Sequence, residues 1–185
     1  PRIIGIQIFS PNRASSYKLI DYLHENYPEI KLVVGGVHVT AMHRQLLKKY
    51  PFLTAVIGEG ELTFHELAKN LLGNKKTNLA SISGLAFCIG KKIVTTKPRE
   101  LIENLDNLPF PRHEQFFLGK RDTACILTTR GCPYACSFCC LRSISKRKVR
   151  YRTAKNVIDE IKYIIRNIPQ AREIMIQDDS FFLDN

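Results

Sequence analysis

With 185 residues, 44% hydrophobic and 24% charged, the chain has the composition of one large or two small globular domains, not of a disordered segment. No apolar run approaches the roughly 20 residues that span a bilayer. Pro1-Arg2 leads straight into apolar residues, without the basic start and small-residue cleavage site of a secretory leader. The net charge of +11 fits a solvated basic surface, with an anionic partner as the sharper reading. No RNA-binding signature accompanies it, so nucleic acid ranks below a small-molecule substrate. Six cysteines without a secretory signal argue against a disulfide scaffold and for a reducing, cytoplasmic setting.

Residues 3 to 9, Ile-Ile-Gly-Ile-Gln-Ile-Phe, make an apolar run of strand length. Ser15 or Ser16 is placed to cap a helix with Tyr17, Ile20, Leu23 and Tyr27 on one face, stopped by Pro28. Residues 31 to 34 form a second strand ending in Gly35-Gly36, and a short helix over about 41 to 49 follows. Residues 54 to 57 form a third strand ending in Gly58-Glu59-Gly60-Glu61. The next helix sets Phe64, Leu67, Ala68 and Leu71 on one face, with Gly73 as its C-cap. Short apolar strands alternating with amphipathic helices predict a parallel sheet with helices on its faces.

Residues 85 to 96 read as a hairpin around Gly90-Lys91-Lys92, and Pro98, Pro109 and Pro111 punctuate a linker. Residues 123 to 129 form a strand that feeds a cysteine-rich loop. Thr153 caps a long helix carrying Val157, Ile158, Ile161, Ile164, Ile165 and Ile168. Residues 173 to 177 form the next strand, with Asp178-Asp179 at its C-terminal end. The expected organisation is therefore an α/β domain over 1–80, a hairpin and linker over 81–120, and a second α/β segment over 121–185. Cys88 and Cys125 fall in strands and are expected in the core. Arg152 is left open between an anionic ligand and a surface cap.

Four cysteines fall within residues 132 to 140, and Cys132, Cys136 and Cys139 have the spacing C-x3-C-x2-C. Three thiolates can hold three irons of a 4Fe-4S cubane and leave the fourth iron open to a ligand. Gly131 and Pro133 suit a loop bent tightly around an inorganic core. Cys140, next to a proposed ligand, is read as a non-ligand. A zinc module built from the same cysteines is the main alternative, although structural zinc prefers paired knuckles set well apart.

This loop, after a strand and before a helix, resembles the radical S-adenosylmethionine (SAM) superfamily, with Phe138 as the aromatic before the last cysteine. The resemblance implies that the open iron binds SAM, and that reductive cleavage yields a 5′-deoxyadenosyl radical. It also implies an external electron donor of flavodoxin or ferredoxin type. Phe138, Asp178 and Asp179 become expected SAM contacts, the acidic pair standing where the family contacts the SAM amino group.

The front half carries a second resemblance. Gly35-Gly36-Val37-His38 and Gly58-Glu59-Gly60-Glu61, followed by the hairpin, the Leu105–Pro111 linker and the cysteine loop, resemble the branch with a cobalamin-binding domain. Gly35, Gly36, His38, Glu59 and Gly60 are then the expected cobalamin contacts, His38 as a polar contact or a loop hydrogen bond. No D-x-H-x-x-G occurs, so no lower-axial histidine is assigned. The implied fold is a partial Rossmann-like (flavodoxin-like) parallel sheet followed by the first βα units of a partial TIM-type barrel. The implied function is a radical SAM enzyme, performing methyl transfer or rearrangement and cyclisation, with an RNA-modifying methylthiotransferase-like enzyme as the alternative. With three front strands and under two βα units of barrel, both ends read as cut, and the piece is expected to be inactive by itself.

Overall fold

The short β-branched runs become strands β1 (Ile3–Gln7), β2 (Lys31–Gly35) and β3 (Thr54–Val56), paired in parallel in the order β1-β2-β3. They belong to a computed structural model that describes residues 1–73, 78–116 and 122–181. Helices α1 (Arg13–Asn26), α2 (Val37–Lys49) and α3 (Glu61–Leu72) follow the strands in turn. Strand side chains alternate between two faces. Ile4, Ile6, Leu32, Val34 and Ala55 pack with Ile20 of α1 and Val39, Leu46 and Leu47 of α2. Val33 and Val56 pack on the opposite face with Leu67 and Leu71 of α3. Each fully buried aliphatic side chain contributes about 1.5–3 kcal/mol.

The hairpin is β4 (Leu85–Ile89) and β5 (Lys92–Thr95), and it extends this sheet antiparallel to β3. The front sheet thus has five strands, not three. The cause lies in the alternation of the hairpin itself. Leu85 and Phe87 join one face of the core and Ala86 the other, so both faces are buried by continuing the sheet.

Local capping also departs from expectation. Helix α1 starts after Asn12, whose Oδ1 accepts the Phe9 N–H at 2.8 Å, while the Ser15 and Ser16 hydroxyls donate back to its carbonyl. Helix α2 starts at Val37, before the predicted 41, because Gly36 at φ 99° turns the chain into the helix at once.

The chain divides into two compact units, Pro1–Leu101 and Ile102–Asn185. In the second, β6 (Thr123–Ile126) pairs in parallel with β9 (Glu173–Ile176), and α5 (Ala154–Asn167) covers one face. Ala124, Ile126, Ile164 and Ile168 form the core there. The predicted strand over 123–129 is broken. Its end becomes β7 (Thr129–Arg130), paired antiparallel with β8 (Arg150–Tyr151), and α4 (Leu141–Ser145) lies between them in sequence. Thr153 caps α5 as expected, its Oγ1 accepting the Asn156 N–H at 3.2 Å.

Cys125 is exposed, contrary to expectation. It is the register partner of the exposed Met175, on the sheet face that α5 does not cover. Cys88 is half-buried and directs its thiol toward the Leu47 carbonyl at 3.7 Å. No helix among the described residues is long and apolar enough to cross a membrane.

A buried polar network fastens the stretch before β6 to α5. Glu160 is 1% exposed; one oxygen lies 2.7 Å from His113 Nε2 and the other accepts from Arg152 Nη1. Arg152 also donates to the Leu127 carbonyl and to Asn156 Oδ1, both at 2.6 Å. Arg152 is therefore neither a surface cap nor a ligand contact; its guanidinium is committed inside the unit. Breaking a buried pair by removing one partner costs about 3–5 kcal/mol. Glu160→Ala is expected to destabilise the second unit by that order in chemical denaturation followed by a probe placed on α5. An unchanged midpoint would refute this account of the network.

Candidate functional site

Two sets of loops, one in each unit, carry the residues singled out by the sequence. In the first unit, the parallel pairing of β1, β2 and β3 sets their C-terminal ends along one edge. Gly35 and Gly36 leave β2 there, and Glu59 and Gly60 follow β3. The two glycine loops are tied together: Thr40 Oγ1 accepts the Gly58 N–H at 3.0 Å and donates to the Gly36 carbonyl at 3.0 Å. The four residues expected to share a crevice thus share the edge.

His38 is buried on the first turn of α2. Ser10 Oγ, from the loop after β1, lies 3.0 Å from its Nδ1, and the Tyr17 hydroxyl of α1 lies 3.0 Å from its Nε2. Both ring nitrogens are therefore engaged by the protein, which is the second of the two roles expected for His38 and leaves neither nitrogen for a direct ligand contact. Ser10, Tyr17 and Thr40 lie outside both glycine motifs; they meet the site through the fold, at separations of 18 to 28 residues.

The space at this edge suits a ligand that approaches backbone. A Cβ built on Gly36 would lie 2.9 Å from the Ile8 carbonyl oxygen, whereas one on Gly58, at φ 78°, would meet nothing within 4 Å. One glycine is needed because the protein crowds it. The other leaves its backbone open to approach.

In the second unit, the cysteine loop leaves β7 and returns through α4. Cys132 and Cys139 are half-buried and Cys136 is exposed; all three are free thiols. Phe138 projects into solvent at 91% exposure. Among the described residues no three His, Cys, Asp or Glu side chains gather at the spacing of one metal ion. A cubane gives each thiolate its own iron, so its ligands stand further apart than those of a single zinc. Three free thiols on one short loop are the donor set that such a cluster takes.

Contacts on either side of Cys132 hold the loop. Gly131, at φ 97°, is crowded by the chain beyond α4, where an added Cβ would lie 2.2 Å from the Lys148 carbonyl oxygen. That chain turns sharply because Lys146 and Arg147 are both left-handed, at φ 52° and 62°, a conformation costing about 1–2 kcal/mol per residue. Arg147 Nε donates to the Pro133 carbonyl at 3.0 Å. Lys148 Nζ donates to both Glu103 oxygens, and this hydrogen bond holds the Glu103 carboxyl below its ordinary range.

Asp178 and Asp179, after β9, complete the hold. Asp178 Oδ1 accepts the Thr128 and Thr129 N–H groups at 2.7 and 3.1 Å, and Oδ2 accepts from the Thr128 hydroxyl. Asp179 Oδ2 accepts the Gly131 N–H at 2.9 Å. Sequence reasoning placed this pair at a ligand but did not place it against the cysteine loop. The contacts bridge 48 to 50 residues, and no local pattern encodes them.

Comparison with known proteins agrees with both halves. Residues 1–68 match the B12 binding domain family. An uncharacterized methyltransferase, PH0819 of Pyrococcus horikoshii, is 32% identical over the whole chain, which spans 41% of that protein. The anaerobic magnesium-protoporphyrin IX monomethyl ester cyclase of Rubrivivax gelatinosus is 30% identical over 90% of the chain, which spans 31% of it. The cobalamin-dependent SAM radical enzyme OxsB, solved with aqua-cobalamin and SAM, superposes with a TM-score of 0.80 at 23% identity. That match covers 98% of this chain and 26% of OxsB and concerns the fold.

The glycine geometry sets a testable contrast. Gly58→Ala meets only the left-handed strain of about 1–2 kcal/mol. Gly36→Ala, at φ 99° and ψ 179°, sits in a region populated essentially by glycine alone and adds the clash with the Ile8 carbonyl. Urea unfolding of the two variants is expected to rank Gly36→Ala as clearly the more destabilised; equal midpoints would contradict the packing described.

Proposed function

We propose that this chain, which belongs to the radical SAM superfamily in its cobalamin-binding-domain branch, joins the end of a cobalamin site to the start of a radical SAM core. The observation that carries the reading is the cysteine loop. Three thiols at C-x3-C-x2-C spacing sit at the C-terminal end of a parallel strand pair, on a loop braced by Asp178, Asp179 and the chain at 147–148. Cys132, Cys136 and Cys139 would hold a 4Fe-4S cluster. When bound, the cluster and SAM supply reductive cleavage to a 5′-deoxyadenosyl radical, and cobalamin supplies methyl-carrying chemistry.

The chain's own residues bind and orient. Phe138 offers an aromatic surface beside Cys139 for the SAM adenosyl group. Asp179 is the acidic residue suited to the SAM ammonium, since Asp178 already accepts three donors from the chain. Gly35, Gly36, Glu59 and Gly60 would line the cobalamin at the front-sheet edge. His38, held between Ser10 and Tyr17, would support that edge without coordinating cobalt. The reaction class is methyl transfer or radical ring formation on a small molecule, with reduction by a flavodoxin- or ferredoxin-type donor.

Two experiments test this. After anaerobic reconstitution, the chain is expected to hold about four irons and to show a broad iron–sulfur absorption; a triple Cys132, Cys136 and Cys139 to Ala variant should hold almost none. Iron retained by that variant would end the cluster assignment. The second compares 5′-deoxyadenosine formation under a strong reductant between this chain and one extended to its relatives' full length. The cluster loop is local, whereas SAM contacts in this superfamily extend over later strands, and a misplacement of about 1 Å costs roughly a hundredfold in rate. The short chain is expected to keep the cluster and lose turnover. Equal rates would show the later strands to be dispensable.

A further inference from the structure

The carboxylate of Asp178 is the acceptor for three donors on two consecutive residues, across a separation of 49 to 50 residues. It takes two successive backbone N–H groups, of Thr128 in the break after β6 and of Thr129 at the start of β7. At that break the chain leaves the β6–β9 ladder: Arg152 N–H bonds to the Thr128 carbonyl, and Thr129 pairs with Tyr151. Backbone donors at such a break need another acceptor, because unpaired buried groups are costly. Asp178 meets the need with a charged acceptor, which makes stronger hydrogen bonds than a neutral one. Three residues further on, Asp179 takes the Gly131 N–H and Arg147 takes the Pro133 carbonyl, so the residues on both sides of Cys132 are fixed. Cys136 stands on the exposed part of the loop.

We propose that Asp178 is a positioning residue for Cys132: its carboxylate, seated on the Thr128 and Thr129 amides, aims the loop that presents the first of the three thiols. The proposal rests on the reading of Cys132 as a cluster ligand. It separates the roles of the acidic pair, Asp178 bracing the loop and Asp179 keeping one oxygen for a ligand.

The test uses Asp178→Ala and Asp178→Asn in the chain extended to its relatives' full length. Hydrogen exchange and thiol alkylation are measured on the metal-free protein, iron content and the electron paramagnetic resonance spectrum after reconstitution. In Asp178→Ala, the Thr128 and Thr129 amides should exchange about tenfold faster or more, with α5 amides unchanged. Alkylation of Cys132 should accelerate several-fold, that of exposed Cys136 should not, and the reduced cluster's spectrum should broaden as iron content falls. Asp178→Asn keeps one acceptor oxygen and should fall between parent and Ala.

Parent-like exchange at Thr128 and Thr129 together with parent-like Cys132 alkylation would overturn the proposal, as would equal acceleration across α5. Should Asp178→Ala fail to fold, Asp178→Asn decides by the same two readouts. A parent protein that takes up no iron would instead overturn the cluster reading. The metal-free measurements would then still settle whether Asp178 sets the loop.

Discussion

Parallel strand pairing is the constraint on which both units depend. A parallel strand must be reached by a crossover, so every strand of the set ends on the same edge. In the first unit this brings the loops after β1, β2 and β3 together, although they are separated by more than twenty residues in sequence. In the second it brings the end of β9 to the end of β6, so that Asp178 and Asp179 meet residues 128 to 131. Neither meeting requires a helix or strand of unusual stability. Register alone delivers it: Ile126 is opposite Ile176, and the two residues beyond each partner reach one another.

The two sites are held by different means. At the front edge, backbone shape dominates. Gly36 fits under Ile8 because it lacks a Cβ, and Thr40 bridges the two glycine loops with one hydroxyl. At the cysteine loop, charge dominates. Carboxylates accept backbone N–H groups, a guanidinium donates to a backbone carbonyl, and Glu160 inside the unit is matched by Arg152 and His113. An edge that presents its backbone gains from absent side chains. A loop without its own strand partners gains from having its backbone donors and acceptors satisfied by fixed side chains.

How much of this was legible in the sequence follows from range. Thr153 as a cap and most of the two helix faces are encoded within a few residues: Leu67 and Leu71 of α3 and Val157, Ile161, Ile164 and Ile168 of α5 join the core, whereas Phe64, Ile158 and Ile165, expected on the same faces, are exposed. The glycine loops were legible as strand ends because Gly35-Gly36 and Gly58 interrupt apolar runs. Three other features were not legible. The hairpin could not be assigned to the front sheet, because its alternation fits either a separate ribbon or an added edge. Ser15 and Ser16 looked like caps, yet Asn12 three or four residues earlier takes the loop N–H of Phe9 and sets the start. Cys125 alternates like a core residue, but its burial depends on what covers that face of β6 and β9, which no residue in the strand specifies.

The basic charge has a local explanation in the same terms. From Thr123 to Ile158 there is no Asp or Glu, while Arg130, Arg142, Lys146, Arg147, Lys148, Arg150, Arg152 and Lys155 contribute eight positive charges. The three cysteines lie inside this stretch. The acidic groups that serve the loop, Glu103, Glu160, Asp178 and Asp179, arrive from outside the stretch, and each is spent on a named donor. Much of the +11 is thus contributed by the stretch of sequence that also holds the three cysteines, and part of it is paired within the unit, as Lys148 with Glu103 and Arg152 with Glu160.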